Sequence, residues 1–195
     1  MPATFKQLTD FLVNLGIEQI AHTQKNYLAH LISVYKLMQA NGCDEDLCRA
    51  GLFHSIYGTE KFQGFNLPVT RRSELAELIG SRAERLAYWN CQMDRSSLDQ
   101  LLAQAEEPFL LRNRDSGETM PLTRRELDDL CCVHLFDWLE QAPRSRFGWD
   151  YRRKAYRQMA ERLGSRTVHA YDRVFAGAPT TAESCSSACG SQARA

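Results

Sequence analysis

Three side chains of types that can ligate metal ions fall in stretches that otherwise read as buried helix. They are His30 in NYLAHLISVYKLM, His54 at the end of AGLFHS and Asp137 in HLFDWLEQ. His30 shares a helical stripe with Val34 and lies near Tyr27, so it points at a core rather than at water. Asp137 stands among Val133, Leu135, Phe136, Trp138 and Leu139. Each residue alone has a plain reading as a core group satisfied by backbone. Three such groups pointing inward from three helices are costly unless they satisfy one another. One divalent ion held by His30, His54 and Asp137 does this, and helical bundles are where such sites are built. Two imidazoles and one carboxylate leave coordination positions open. That arrangement serves hydrolysis by a water activated on the ion, or oxygen chemistry at a mononuclear non-haem iron.

The elements that would position these residues follow from apolar spacing and stop signals. Phe5, Leu8, Leu12 and Leu15 predict a helix over 4–15 ended by Gly16. A connector, IEQIAHT, leads to a second helix over about 25–40, stopped by Asn41-Gly42. Asp44 is placed to cap a third helix running to His54. Thr70 is placed to cap a helix through Leu78, with Gly80 marking a break before AERLAYWN. Another helix is expected over 96–104. The interval 108–122 reads as two short extended runs around Asp115-Ser116-Gly117, a hairpin. Thr123 and Glu126 form a capping box that opens the helix carrying Asp137. Last come helices over 151–163 and 168–175. The expected architecture is all-α with one small hairpin: a domain over 1–175 and a disordered tail, 176–195, too polar to build a core.

Composition narrows the function. The 195 residues hold 24 basic and 24 acidic side chains, a formal charge of zero. This removes the electrostatic case for nucleic acid or an anionic membrane as partner. No apolar run approaches the about 20 residues of a bilayer span, and the amphipathic start MPATFKQLTDFLVNLG does not read as a signal peptide. The seven cysteines are irregularly spaced and form no CxxC, and most lie in helical segments, so a reducing cytoplasm is expected. Cys185 and Cys189 fall in the polar tail.

The pattern YLAHLISVYKLM, then GCDEDLCRAGLFHS, then a distant aspartate resembles the HD-domain superfamily of metal-dependent phosphohydrolases. His30 and His54 stand 24 residues apart, as the resemblance requires, and it covers about residues 20–62 plus the helix around Asp137. In that superfamily the second histidine is followed by aspartate; here Ser55 follows, and serine supplies no anionic oxygen. The run GLFHSIYGTE matches a branch of the superfamily that reads His-Ser at this point. The resemblance implies a helical bundle and an ion (Mn, Fe, Zn or Co) on His30, His54 and Asp137. It also implies a phosphorylated or nucleotide-like small molecule as substrate. The missing carboxylate implies one ion rather than two, which keeps an iron oxygenase or lyase as an alternative. A ligand-sensing relic without catalysis is the third reading.

The resemblance extends to Glu60, since acidic residues shortly after the pair assist the attacking water in related hydrolases, and to His22 as an assistant in proton transfer or substrate contact. Lys25, Tyr57, Thr59, Arg71 and Arg95 are candidates for substrate binding, the arginines through bidentate contacts with an anion. His134, three residues before Asp137, is either a further ligand, a support for the aspartate or a buried structural histidine. Oligomeric state is left open.

Overall fold

The computed structural model describes residues 2–22 and 25–179, with backbone alone at 21, 22 and 25. The tail expected over 176–195 therefore lies almost wholly outside the described residues. Helix α1 (Phe5–Asn14) opens with a capping box between Thr4 and Gln7. A 3-10 turn follows. Then β1 (Ala21–His22) and β2 (Lys25–Asn26) pair antiparallel, where a plain connector and the start of a helix were expected. Helix α2 (Tyr27–Ala40) accordingly begins two residues late, with the Asn26 side chain accepting from the Ala29 N–H. Asp44 caps α3 (Glu45–Leu52) as expected.

Helix α3 stops before His54. Phe53 caps its end, and residues 53–57 form a tight turn. Thr70 also caps nothing: a 3-10 turn precedes α4 (Arg72–Ile79). Gly80, at φ 95°, breaks the chain before α5 (Ser81–Gln92). Helix α6 (Arg95–Leu101) is capped by Asp94. Strands β3 (Phe109–Arg112) and β4 (Thr119–Leu122) make the expected hairpin, its turn held by the Asn113 side chain accepting from two backbone N–H groups. Helix α7 (Arg124–Gln141) opens on the Thr123–Glu126 capping box. Helices α8 (Arg153–Leu163) and α9 (Ser165–Phe175) complete the chain. The fold is all-α with a small hairpin.

Helix α7 organises the molecule. It packs against α2, α3, α5 and α8, and an unbroken run from Leu130 to Leu139 is buried. A helix apolar on nearly every face belongs at the centre of a bundle. On one side α3 presses close to α2, because a Cβ on Gly51 would lie 2.3 Å from Met38 Sδ. No helix among the described residues is long and apolar enough to cross a membrane.

Candidate metal centre

Three elements converge on one point. His30 comes from the first turn of α2, His54 from the turn after α3, and Asp137 from the last turns of α7; all three are buried. The His30 and His54 Nε2 atoms each lie 3.2 Å from Asp137 Oδ1 and 3.4 Å from each other. Bonds of about 2.1 Å to one ion require donor separations of about 3.0 Å at octahedral and about 3.4 Å at tetrahedral angles. The triangle fits. This buried group could hold a metal ion.

The remaining ring nitrogens decide which atoms face the ion. His54 Nδ1 donates to the Gly51 carbonyl at 2.8 Å, which leaves Nε2 turned to the centre. His30 Nδ1 meets Glu140 Oε2 at 2.6 Å, a carboxylate behind a histidine of the kind that orients and strengthens metal-binding imidazoles. Arg144 closes on the same Glu140 oxygen at 2.5 Å, and Gln141 Nε2 donates to Asp137 Oδ1 at 2.8 Å. Burial alone pushes His30 down, but the hydrogen bonds its ring donates to Asp137 and Glu140 outweigh it and lift its pKa to about 9. Burial pushes Asp137 up, and the two histidines more than reverse this, holding its carboxyl well below the usual range.

His134 is not a ligand. Its Nδ1 meets Asn90 Oδ1 at 3.1 Å and its Nε2 accepts from Arg152 at 2.7 Å. Burial, then Arg152 and Arg95, depress its pKa well below the ordinary value, so the ring is neutral. Asn90 in turn donates to the His54 carbonyl at 2.8 Å. His134 thus supports the backbone of a candidate ligand through one intermediary. Ser55, where the resemblance calls for aspartate, shares a 2.9 Å hydrogen bond with the Tyr27 hydroxyl.

A cavity of about 470 Å³ opens on His54 and Asp137. Lys61, Arg95, Arg144 and Arg146 line it, and Asp137 is the one carboxylate among its lining residues. Arg95 is nearly buried, its Nη1 donating to the Tyr151 hydroxyl at 3.1 Å. Phe62, Phe147, Tyr151, Tyr156 and Trp138 supply aromatic wall. Trp138 stacks on Tyr156, and its buried indole Nε1 has no acceptor among the described residues.

Of the residues singled out by sequence, His30, His54 and Asp137 come together, and Thr59 and Arg95 share the cavity wall with His54 and Asp137. Glu60 does not. Its carboxylate sits in the adjoining groove, on Lys61 at 2.9 Å and the Arg95 N–H. Burial would raise its pKa, but those partners lower it on balance, the wrong direction for a general base near neutrality. Tyr57 turns into the core and donates to Glu84. Arg71 pairs with Glu74 at the surface through two nitrogens. The side chains of His22 and Lys25 lie outside the described part of the structure. Sequence reasoning missed Glu140, Trp138, Gln141 and Arg144. The available signal was helical spacing: Glu140 and Gln141 stand three and four residues beyond Asp137, on its face of α7.

No curated protein and no solved structure matches the chain. Residues 11–95 match the model of a family described as a domain of unknown function, DUF6817. That stretch contains His30, His54 and Ser55 and ends before α7, which carries Asp137.

Proposed function

We propose that the chain is a metal-dependent hydrolase of a phosphorylated, nucleotide-like small molecule, related to the HD-domain superfamily. The observation that carries this reading is the cavity: it opens on two of the three candidate ligands and is lined by four cationic side chains against a single carboxylate. An ion on His30, His54 and Asp137 would supply Lewis-acid chemistry, acidifying a water and polarising a phosphoryl oxygen. Arg95 is the main anchor for the anion, because it is nearly buried and its guanidinium meets a tyrosine hydroxyl. Lys61 and Arg146 extend the positive wall. Trp138 Nε1 offers a donor for an acceptor atom on the substrate, and the aromatic side chains exclude water and accept a planar ring. Glu60 positions Lys61 in this scheme rather than moving protons.

One observation favours a second reading. Ser55 is engaged with Tyr27, so the ligand set stays at two histidines and one carboxylate, the set used by mononuclear non-haem iron oxygenases. Elemental analysis of protein purified without chelator separates the two. Manganese, zinc or cobalt near one per chain, lost in His54→Ala, together with phosphate release from a phosphoester panel that Arg95→Gln weakens by at least about tenfold, is the expected result. Iron with substrate-dependent oxygen uptake and no phosphate release would replace the hydrolase with the oxygenase. A wild-type protein that takes up none of these metals after reconstitution would overturn both.

A further inference from the structure

Cys43 and Cys132 meet with their sulfur atoms 3.6 Å apart. Cys43 stands in the turn between α2 and α3 and is half-buried; Cys132 lies on α7 and is 6% exposed. Cys48, Cys91 and Cys131, by contrast, are buried and touch no second sulfur among the described residues, the Cys48 and Cys91 thiols donating to the Cys43 and His54 carbonyls. The turn also carries a cation. Arg166, in the first turn of α9, folds over Gly42 so tightly that a Cβ there would lie 2.1 Å from its Nη1. The same nitrogen donates to the Asn41 carbonyl at 3.4 Å.

These features differ from those of ordinary core thiols. The hydrogen bond with Cys132 and the nearby guanidinium hold the Cys43 thiol below its usual range, against burial and Asp44, while the Cys132 thiol is pushed up. A half-exposed sulfur beside a cation, touching a second sulfur, is placed to react and then be resolved. Closing the contact to a disulfide bond of about 2.05 Å brings the sulfurs together by about 1.5 Å, with Cys43 standing in a turn rather than within a helix.

We propose that Cys43 and Cys132 form a peroxide-oxidisable dithiol, with Cys43 the attacking sulfur and Cys132 the resolving one. The Cys43 thiolate attacks one oxygen of hydrogen peroxide; the O–O bond breaks, an S–O bond forms, and hydroxide leaves as water with the proton the thiol gave up. The Cys132 sulfur then attacks the oxidised Cys43 sulfur, forming the S–S bond and breaking S–O, its own proton departing in a second water. Two thiols lose two electrons, and one peroxide becomes two waters. The bond ties the turn after α2 to α7, the helices that carry His30 and Asp137, and it stands whether or not the metal reading does.

The test is oxidation of the reduced full-length protein by stoichiometric peroxide, alkylation of remaining thiols, digestion and mass mapping. The expected product is one peptide pair joined from Cys43 to Cys132. It persists in Cys48→Ser and disappears in Cys43→Ser and Cys132→Ser. In Cys132→Ser, checked for unchanged circular dichroism, Cys43 proceeds to sulfinic acid instead. Arg166→Gln slows alkylation of Cys43 at neutral pH by about threefold without altering the fold. Linkage of Cys43 to any other cysteine, Cys185 and Cys189 included, would overturn the proposal. So would an absence of linkage at peroxide levels that already oxidise methionine, or Cys43 reacting no faster than in unfolded protein.

Discussion

His30 is held between two carboxylates, Asp137 on one ring nitrogen and Glu140 on the other. With a pKa lifted to about 9, it is an imidazolium at neutral pH in metal-free protein, and an ion at Nε2 must displace a proton. Metal uptake at pH 7 is therefore expected to release about one proton per ion and to strengthen with pH until about 9, measurable by calorimetry in buffers of different ionisation enthalpy. Stability follows the same groups. A raised histidine pKa stabilises fully below the unfolded value of about 6.5 and loses that contribution as pH rises through about 9. The lowered Asp137 carboxyl contributes above its ordinary value of 3.8 and is lost as pH falls through its depressed one. Urea midpoints of metal-free protein should thus be flat between about pH 4 and 6.5 and decline toward pH 9.5, and bound metal should remove the alkaline decline. Glu140→Gln keeps all three ligands yet should weaken metal binding by about 10–100-fold in chelator competition, because the ring loses its orienting carboxylate.

At the level of elements, the site depends on how closely α3 approaches α2. Gly51 permits that approach, since a Cβ there would lie 2.3 Å from Met38 Sδ and 3.3 Å from Val34 Cγ1. Its carbonyl also fixes the His54 ring. Gly51→Ala should cost about 1–3 kcal/mol in urea unfolding, the usual penalty of overpacking. It should also weaken metal binding, because α3 moves away from α2 and carries His54 from His30. Thr123→Ala is the control: loss of the α7 cap costs about 1 kcal/mol at the far end of α7 and should leave metal affinity unchanged. Helix starts were legible at Asp44 and Thr123, whose side chains close the first turn, while the Asn26 cap of α2 went unread. Boundaries were misread at Thr70 and at His54. There the end of the helix is decided by what the following turn packs against, Asn90 and Cys91 of α5 meeting the His54 carbonyl.

Across the whole molecule, a formal charge of zero conceals a cavity lined by four cationic side chains and one carboxylate, with Arg144 paired to Glu140 and Lys61 to Glu60 behind the wall. Composition bears on bulk partners and says nothing about where single cations stand, and so nothing about a small anion. The family match over 11–95 likewise covers only part of the assembly, because the third candidate ligand and the residues around it belong to α7. A fragment ending at residue 104 lacks the helix against which α2, α3 and α5 pack. It should show no cooperative unfolding transition by circular dichroism and retain no more metal than His54→Ala of the full chain.

The sequence by itself determined the helical class, the hairpin around 115–117, the main caps and the identity of the three candidate ligands. Those are readable because helix periods and caps act within one or two turns of chain, and because a histidine or aspartate inside an apolar stretch is anomalous wherever the stretch ends up. Only the tertiary structure decided that His30, His54 and Asp137 share one point, that Glu140 stands behind His30, and that Ser55 answers to Tyr27. It also decided that Glu60 faces a different groove and that Arg95, Arg144 and Arg146 wall one cavity. Each of those facts is a distance between elements remote in sequence, set by the packing of α2 and α3 on α7. No local pattern encodes such a distance.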